Sequence, residues 1–222
     1  MHIPDGYLGP TTYGAFYALM VPLWAIAARM TDKTLKATQI PMLALGAAFS
    51  FVIMMFNVPI PGGSTAHAVG AVLIAVFLGP WAALIAITVS LVIQALVFGD
   101  GGITAIGANC FNMAFAMPAS GYLVYRIMSL NSPASSVRRA VAGAIGSYVG
   151  LNVAALLTAI EFGIQPFLYH ATDGKAFYCP YGLNVSVPIM MSGHLLIFGF
   201  VEAVITFFVI RYVQKQDASL LR

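Results

Sequence analysis

Long unbroken apolar runs, rather than amphipathic stripes or strict alternation, dominate the 222-residue sequence. They cover residues 11–28, 40–56, 68–98, 103–125, 141–162 and 187–212. A helix needs about 20 such residues to cross a hydrocarbon core, so all but the third predict one crossing each. The run at 68–98 would be roughly 46 Å long as one helix, and Leu78-Gly79-Pro80 interrupts it near the middle. It predicts either one long span or two short ones. Charge decides between them, because Lys and Arg collect in cytoplasmic loops. With seven spans and the amino terminus outside, Arg29, Lys33, Lys36, Arg126, Arg138, Arg139, Arg211, Lys215 and Arg222 fall inside, and only Lys175 stays outside. Six spans would strand Arg126, Arg138, Arg139, Arg211, Lys215 and Arg222 on the wrong face. The expectation is an all-α integral membrane protein with seven transmembrane helices, the amino terminus outside and the carboxyl terminus cytoplasmic.

Composition agrees, with 60% hydrophobic and 8% charged residues against roughly 25% charged in a soluble domain. Residues 1–222 therefore read as a single transmembrane helical bundle. A net charge of +3 without a basic patch argues against a nucleic-acid partner. Cys110 and Cys179 have no metal-type spacing and are expected to be unpaired. Neither a GxxxxGK[ST] phosphate loop nor an HExxH helix occurs, so neither ATP hydrolysis nor zinc proteolysis is expected of this chain. The first span ends in Ala25-Ile26-Ala27-Ala28, small residues at cleavage-like spacing. The segment before it has no Lys or Arg and carries Asp5, unlike a signal peptide, so the span is expected to be retained.

The chain opens Met1-His2-Ile3-Pro4-Asp5-Gly6. A histidine directly behind a free amine can chelate through the Met1 amine, the His2 amide nitrogen and the His2 imidazole Nδ1, closing adjacent five- and six-membered rings. Three coplanar nitrogens suit nickel(II) or copper(II), which prefer tetragonal fields. The amide must lose its proton to bind, so loading releases protons and weakens in acid. Met1 is expected to stay in place, because trimming favours a small second residue.

The seven-span topology puts all four histidines on the outer side. His67 follows Asn57-Val58-Pro59-Ile60-Pro61-Gly62-Gly63-Ser64-Thr65-Ala66, an irregular stretch in which two prolines stiffen the backbone and two glycines permit tight turns. Such backbone at membrane depth is tolerated where protein buries it or it lines a polar cavity. His67, expected to open the third helix, reads either as a fourth nitrogen ligand or as an interfacial histidine bonded to a carbonyl. His194, expected in the first two turns of the last helix, competes for the ligand role. His170, near Asp173 and Lys175, reads as a solvated surface residue. Asp5 and Asp100 precede glycines and read as turn formers that also draw cations in. Asn109 and Asn112 suit interhelical bonding, and Glu202 a structural pairing inside its span. Ala44 and Ala48 share a helix face that allows close approach, read as packing within the bundle ahead of docking to a partner.

The opening Met1-His2-Ile3-Pro4-Asp5-Gly6-Tyr7-Leu8, the segment Pro61-Gly62-Gly63-Ser64-Thr65-Ala66-His67 and Gly107-Ala108-Asn109-Cys110-Phe111-Asn112-Met113 together resemble the NikM/CbiM family. These are the substrate-binding S components of energy-coupling-factor transporters for nickel and cobalt. The resemblance covers most of the chain, and Pro4-Asp5 looks closer to NikM. It implies a square-planar site of four nitrogens from Met1, His2 and His67. It also implies an extra amino-terminal span, so that residues 1–36 carry the metal-binding segment and that helix while 37–222 form a six-helix core. The implied partners are a transmembrane coupling subunit, two ATPase subunits and often a small accessory membrane subunit. The implied role is capture of Ni(II), with Co(II) as the alternative cargo, from outside the cell membrane. A stand-alone divalent-cation channel or carrier is the rival class, for which Glu202 is the only intramembrane support. An intramembrane metalloenzyme is disfavoured, because four nitrogens leave no open position for water.

Overall fold

The computed structural model describes residues 1–61 and 64–221. Gly62 and Gly63 of the expected tight turn and Arg222 of the expected inner charge cluster lie outside the described residues. Helix α1 (Pro10–Thr34) begins with proline at its first turn, where no intrahelical N–H is needed. A 3₁₀ turn (Ala37–Gln39) leads into α2 (Ile40–Met55). The stretch after α2 is a β-hairpin rather than an irregular loop: β1 (Val58–Ile60) pairs antiparallel with β2 (Ser64–Ala66), with Val58 opposite Ala66 and Ile60 opposite Ser64. Pro59, which cannot donate to a ladder, is tolerated because the hairpin has only two strands.

The run at 68–98 breaks where Leu78-Gly79-Pro80 predicts. Helix α3 (Ala71–Leu78) stops at Gly79, whose φ of 92° lies in the region glycine favours, and Pro80 starts α4 (Pro80–Ile93). Helix α4 continues as a π-helical segment, Gln94–Phe98. Helix α5 (Ile106–Asn109), a π-helical segment (Cys110–Ala116) and α6 (Met117–Met128) follow one another directly. Helix α7 (Val137–Gly163) is followed by the single turn α8 (Gln165–Leu168). Helix α9 (Leu183–Gly193), a third π-helical segment (His194–Phe198) and α10 (Gly199–Asp217) form the last rod.

Among the described residues, Pro10–Thr34, Ala37–Met55, Pro80–Phe98, Val137–Leu168 and Leu183–Leu220 are long and apolar enough to cross a membrane. Helix α3 is not, since its eight residues reach about 12 Å, but every one of them is buried in protein. The rod from Ile106 to Met128 is made more polar by Asn109, Asn112 and Ser120. It lies in the bundle, where α6 and α7 meet backbone to backbone. A Cβ on Gly121 would strike the Gly146 carbonyl, and one on Gly150 the Met117 carbonyl. Small residues here permit the close approach that holds helices together where the hydrophobic effect does not act.

Three placements differ from expectation. His67 does not open α3: it directly follows β2, four residues before the helix starts, because Gly70 adopts a left-handed φ of 76°. His194 follows the eleven residues of α9 rather than sitting in the first two turns, because that helix starts at Leu183 directly after Gly182. Ala44 and Ala48 are exposed rather than packed in the bundle, because α2 turns Ser50 and Met54 inward.

Glu202 has the structural pairing its mid-span position demands. Its carboxylate accepts from the Val69 N–H at 2.7 Å and the Gly70 N–H at 2.9 Å, binding the backbone donors just ahead of α3. Glu202→Ala leaves both donors buried without a partner and is expected to destabilise the fold by about 2–5 kcal/mol. Glu202→Gln keeps one acceptor oxygen and should lose less. Unfolding midpoints of the two variants in one detergent check this, and equal midpoints would refute it.

Candidate metal centre

The amino-terminal segment does not lie on the surface. It threads into one end of the bundle, with Met1, Ile3 and His67 fully buried and His2 4% exposed. Hydrogen bonds fix it at each step. The Met1 amine donates to the Thr65 carbonyl. Ser64 Oγ donates to the His2 carbonyl at 3.1 Å. Asn109 bonds both faces of Ile3, accepting from its N–H at 2.9 Å and donating to its carbonyl at 3.2 Å, and Gly102 N–H donates to the same carbonyl at 2.8 Å. Asp5 is more than a local turn former: it accepts from Ile103 N–H, Thr104 N–H and the Thr104 hydroxyl. Gly102 lies so close that a Cβ there would strike the Pro4–Asp5 backbone.

Threading this segment brings three ligand candidates together. The Met1 nitrogen lies 3.4 Å from His67 Nε2, and the His2 and His67 rings stack with centroids 4.6 Å apart and planes at 28°. Hydrogen-bond partners define both tautomers. The His67 Nδ1–H donates to the Ala68 carbonyl at 3.1 Å, leaving the Nε2 lone pair free toward the amine. Gln94 Nε2 faces Met55 Sδ, so Gln94 Oε1 accepts from His2 Nε2–H at 3.2 Å. That leaves the lone pair on His2 Nδ1, the atom a chelate with the Met1 amine needs, and this nitrogen is buried with no hydrogen-bond partner.

Electrostatics keep these nitrogens unprotonated. Burial pushes the Met1 amine down from 8.0 to about 4, against the opposing pull of the Asp100 charge. Burial and then the neighbouring amine push His2 down to about 3, against the Gln94 bond. His67 is lowered by burial, the amine, His2 and His194. Asp100 Oδ1 lies 3.4 Å from His2 Nδ1, and because His2 is neutral this is not an ion pair. Burial raises the Asp100 carboxyl, partly offset by the amine and by the Asn57 side chain, which donates to it at 3.1 Å.

A family model described as "Cobalt uptake substrate-specific transmembrane region" (CbiM) matches residues 2–220. The chain belongs to the CbiM family. The fused nickel transport protein NikMN of Rhodobacter capsulatus is 50% identical over 221 residues, which are 100% of this chain and 64% of that protein. This CbiM-family chain therefore spans less than two thirds of the fused relative. The cobalt transport protein CbiM of Kyrpidia tusciae is 35% identical over 224 residues, covering 100% of this chain and 86% of the relative. The crystal structure of a transition metal transporter, 55% identical, superposes with a TM-score of 0.92 over 98% of this chain and 94% of its own.

In this CbiM-family protein, a multi-pass membrane protein, the remaining sequence candidates separate cleanly. His170 is exposed, its Nδ1 donating to the Pro166 carbonyl at 3.0 Å, as expected of a surface residue. Cys110 and Cys179 are free and buried. Asn112 bonds between helices, donating to Thr158 at 3.1 Å and Glu161 at 3.0 Å. Sequence reasoning missed Gln94, a lone amide in the apolar run Val92-Ile93-Gln94-Ala95-Leu96, and that isolation was its only signal. Among the described residues no three His, Cys, Asp or Glu side chains gather into a metal site. The candidate donors form no such trio because half of them are main-chain nitrogens. The three π-helical segments begin at Gln94, directly after Asn109, and at His194. Gln94 and Asn109 touch the amino-terminal segment, in keeping with the frequent occurrence of π-bulges at functional sites.

Proposed function

We propose that this chain is the nickel(II)-binding S component of an energy-coupling-factor importer in the plasma membrane. It captures the ion from outside through the Met1 amine, the His2 amide and Nδ1, and His67 Nε2. The observation that carries the reading is the buried Met1 amine, neutral at pH 7 and 3.4 Å from the free lone pair of His67. Two nitrogens about 2 Å from one ion at right angles lie about 2.8 Å apart, so closing on an ion takes a shift of a few tenths of an ångström. The reading requires the Met1 amine to be free, which intact mass checks. The names of the NikMN and CbiM relatives support nickel and cobalt as the cargo classes.

The proposed topology has seven crossings with the amino terminus outside. Residues 1–36 supply the binding segment and an extra helix, and 37–222 a six-helix core. Its support is charge: all the Lys and Arg except Lys175 fall on one side. A transmembrane coupling subunit and two ATPase subunits, with a small accessory membrane subunit, would move the loaded protein. The chain itself has no catalytic role in this reading. In proteoliposomes the chain alone is expected to bind nickel but pass none, and uptake should appear only with coupling and ATPase subunits plus ATP. Sustained flux through the chain alone would establish the channel reading instead.

Proton release gives a second test. At pH 7 the docked amine (about 4) and His2 (about 3) already lack their protons, so loading should release about one proton per ion, from the amide. The logarithm of affinity should then rise by about one per pH unit near neutrality, and more steeply below about pH 4, where the amine proton must also leave. A solvated amine with the ordinary value of 8.0 would bring the release at pH 7 to nearly two. Calorimetric titration in buffers of different ionisation heat measures the number.

A further inference from the structure

We propose that His194 is a second nitrogen station for the divalent cation, taking it together with His67 when the amino-terminal chelate lets go. This rests on the four-nitrogen reading above and adds a ligand on the inner side of it. Polar side chains buried along α9 and α10 are otherwise satisfied. Ser186 donates to the Ala159 carbonyl at 2.8 Å, Glu202 binds the Val69 and Gly70 N–H groups, Thr206 pairs with Ser147 at 2.8 Å, and Gln214 donates to the Ala134 and Ser136 carbonyls. His194 differs. Its Nδ1–H donates to the Met190 carbonyl at 2.7 Å, which leaves the lone pair on Nε2, and that atom is fully buried with no partner.

A phenylalanine or leucine at position 194 would leave no such orphan, so packing does not explain the imidazole. The ring lies within electrostatic range of both His67 and the Met1 amine. Its neighbour Gly193 abuts the hairpin that leads into His67, since a Cβ there would lie 3.6 Å from Ile60 and 3.9 Å from Ala66. The π-helical turn begins at His194, as at Gln94, which holds His2. Two neutral imidazoles with free Nε2 lone pairs suit nickel(II) or cobalt(II) and hold them less tightly than a deprotonated-amide chelate. Transfer is a ligand exchange: the ion leaves the amine, the amide and His2 Nδ1, water returns a proton to the amide, and His67 keeps its bond while His194 Nε2 forms one.

The test uses the full chain carrying His2→Ala in lipid nanodiscs, titrated with nickel(II) alone and examined by X-ray absorption. The expected result is a residual site about a thousandfold or more weaker than the native one, with two imidazole ligands. In that background His194→Phe should weaken the residual site at least about tenfold and remove one imidazole. The same substitution beside native His2 should still load tightly, which shows that the variant folds. A residual site indifferent to His194→Phe, no residual site at all, or loss of tight loading in the variant that keeps His2 would each overturn the proposal. Native affinity in the His2→Ala protein would instead overturn the four-nitrogen reading itself.

Discussion

Two residues, Gly-Pro, placed ahead of Met1 are expected to lower nickel affinity by at least about a thousandfold, equivalent to about 4 kcal/mol. The proline matters, because glycine alone would create Gly-Met-His, whose amine, two amides and imidazole form a four-nitrogen chelate of their own, whereas the proline nitrogen has no proton to lose. The loss has two sources. The Met1 nitrogen becomes a peptide nitrogen, whose lone pair is delocalised and which binds only after losing its own proton. The new amine also has nowhere to go, because Met1 is fully buried with its nitrogen against the Thr65 carbonyl and His67. Making room means withdrawing the segment, which breaks the bonds from Asn109 and Gly102 to Ile3. Gly-Pro added after Arg222 is the control and should leave affinity unchanged. Equilibrium dialysis on mass-verified protein measures the difference, and native affinity in the extended protein would sink the chelate.

Much of this arrangement is legible in the residues, and the exceptions share a cause. The apolar runs predict the rods, and Leu78-Gly79-Pro80 predicts the break before α4, because glycine and proline act through local backbone rules. The Met1-His2 chelate is also local, since its rings close within one dipeptide. What does not show in sequence is how deep the segment docks. Its burial depends on Asn109 and Gln94, about a hundred residues away, each making bonds that only the folded bundle brings within reach. The hairpin was hidden for a similar reason: Pro59 and Pro61 read as irregular backbone, yet two short strands pair once Ser64 Oγ and the Thr65 carbonyl anchor the incoming chain. His67 shows both readings at once. Its Nδ1–H makes the bond to a carbonyl that a structural histidine would make, and that same bond directs its Nε2 lone pair at the amine.

Replacing His67 by alanine is therefore expected to cost at least about a hundredfold in nickel affinity, but less than replacing His2. The order follows from the number of nitrogens lost. Without His67 the Met1 amine, the His2 amide and His2 Nδ1 still form a tridentate clamp, and water takes the fourth position, shifting the visible absorption of the ion to lower energy as the ligand field weakens. Without the His2 imidazole only the amine remains of that clamp, because an amide nitrogen is deprotonated easily only when a neighbouring ring holds the metal. Packing alone predicts a different pattern. The His67 ring stacks on His2 at 4.6 Å and is fully buried, so its removal leaves a void that loosens the segment whatever its chemistry. Free imidazole separates the two explanations. If His67 is a ligand, millimolar imidazole added to the His67→Ala protein should enter the void, restore part of the affinity and return the absorption band toward its native position. If His67 only packs, imidazole should tighten binding little and leave the band where it was.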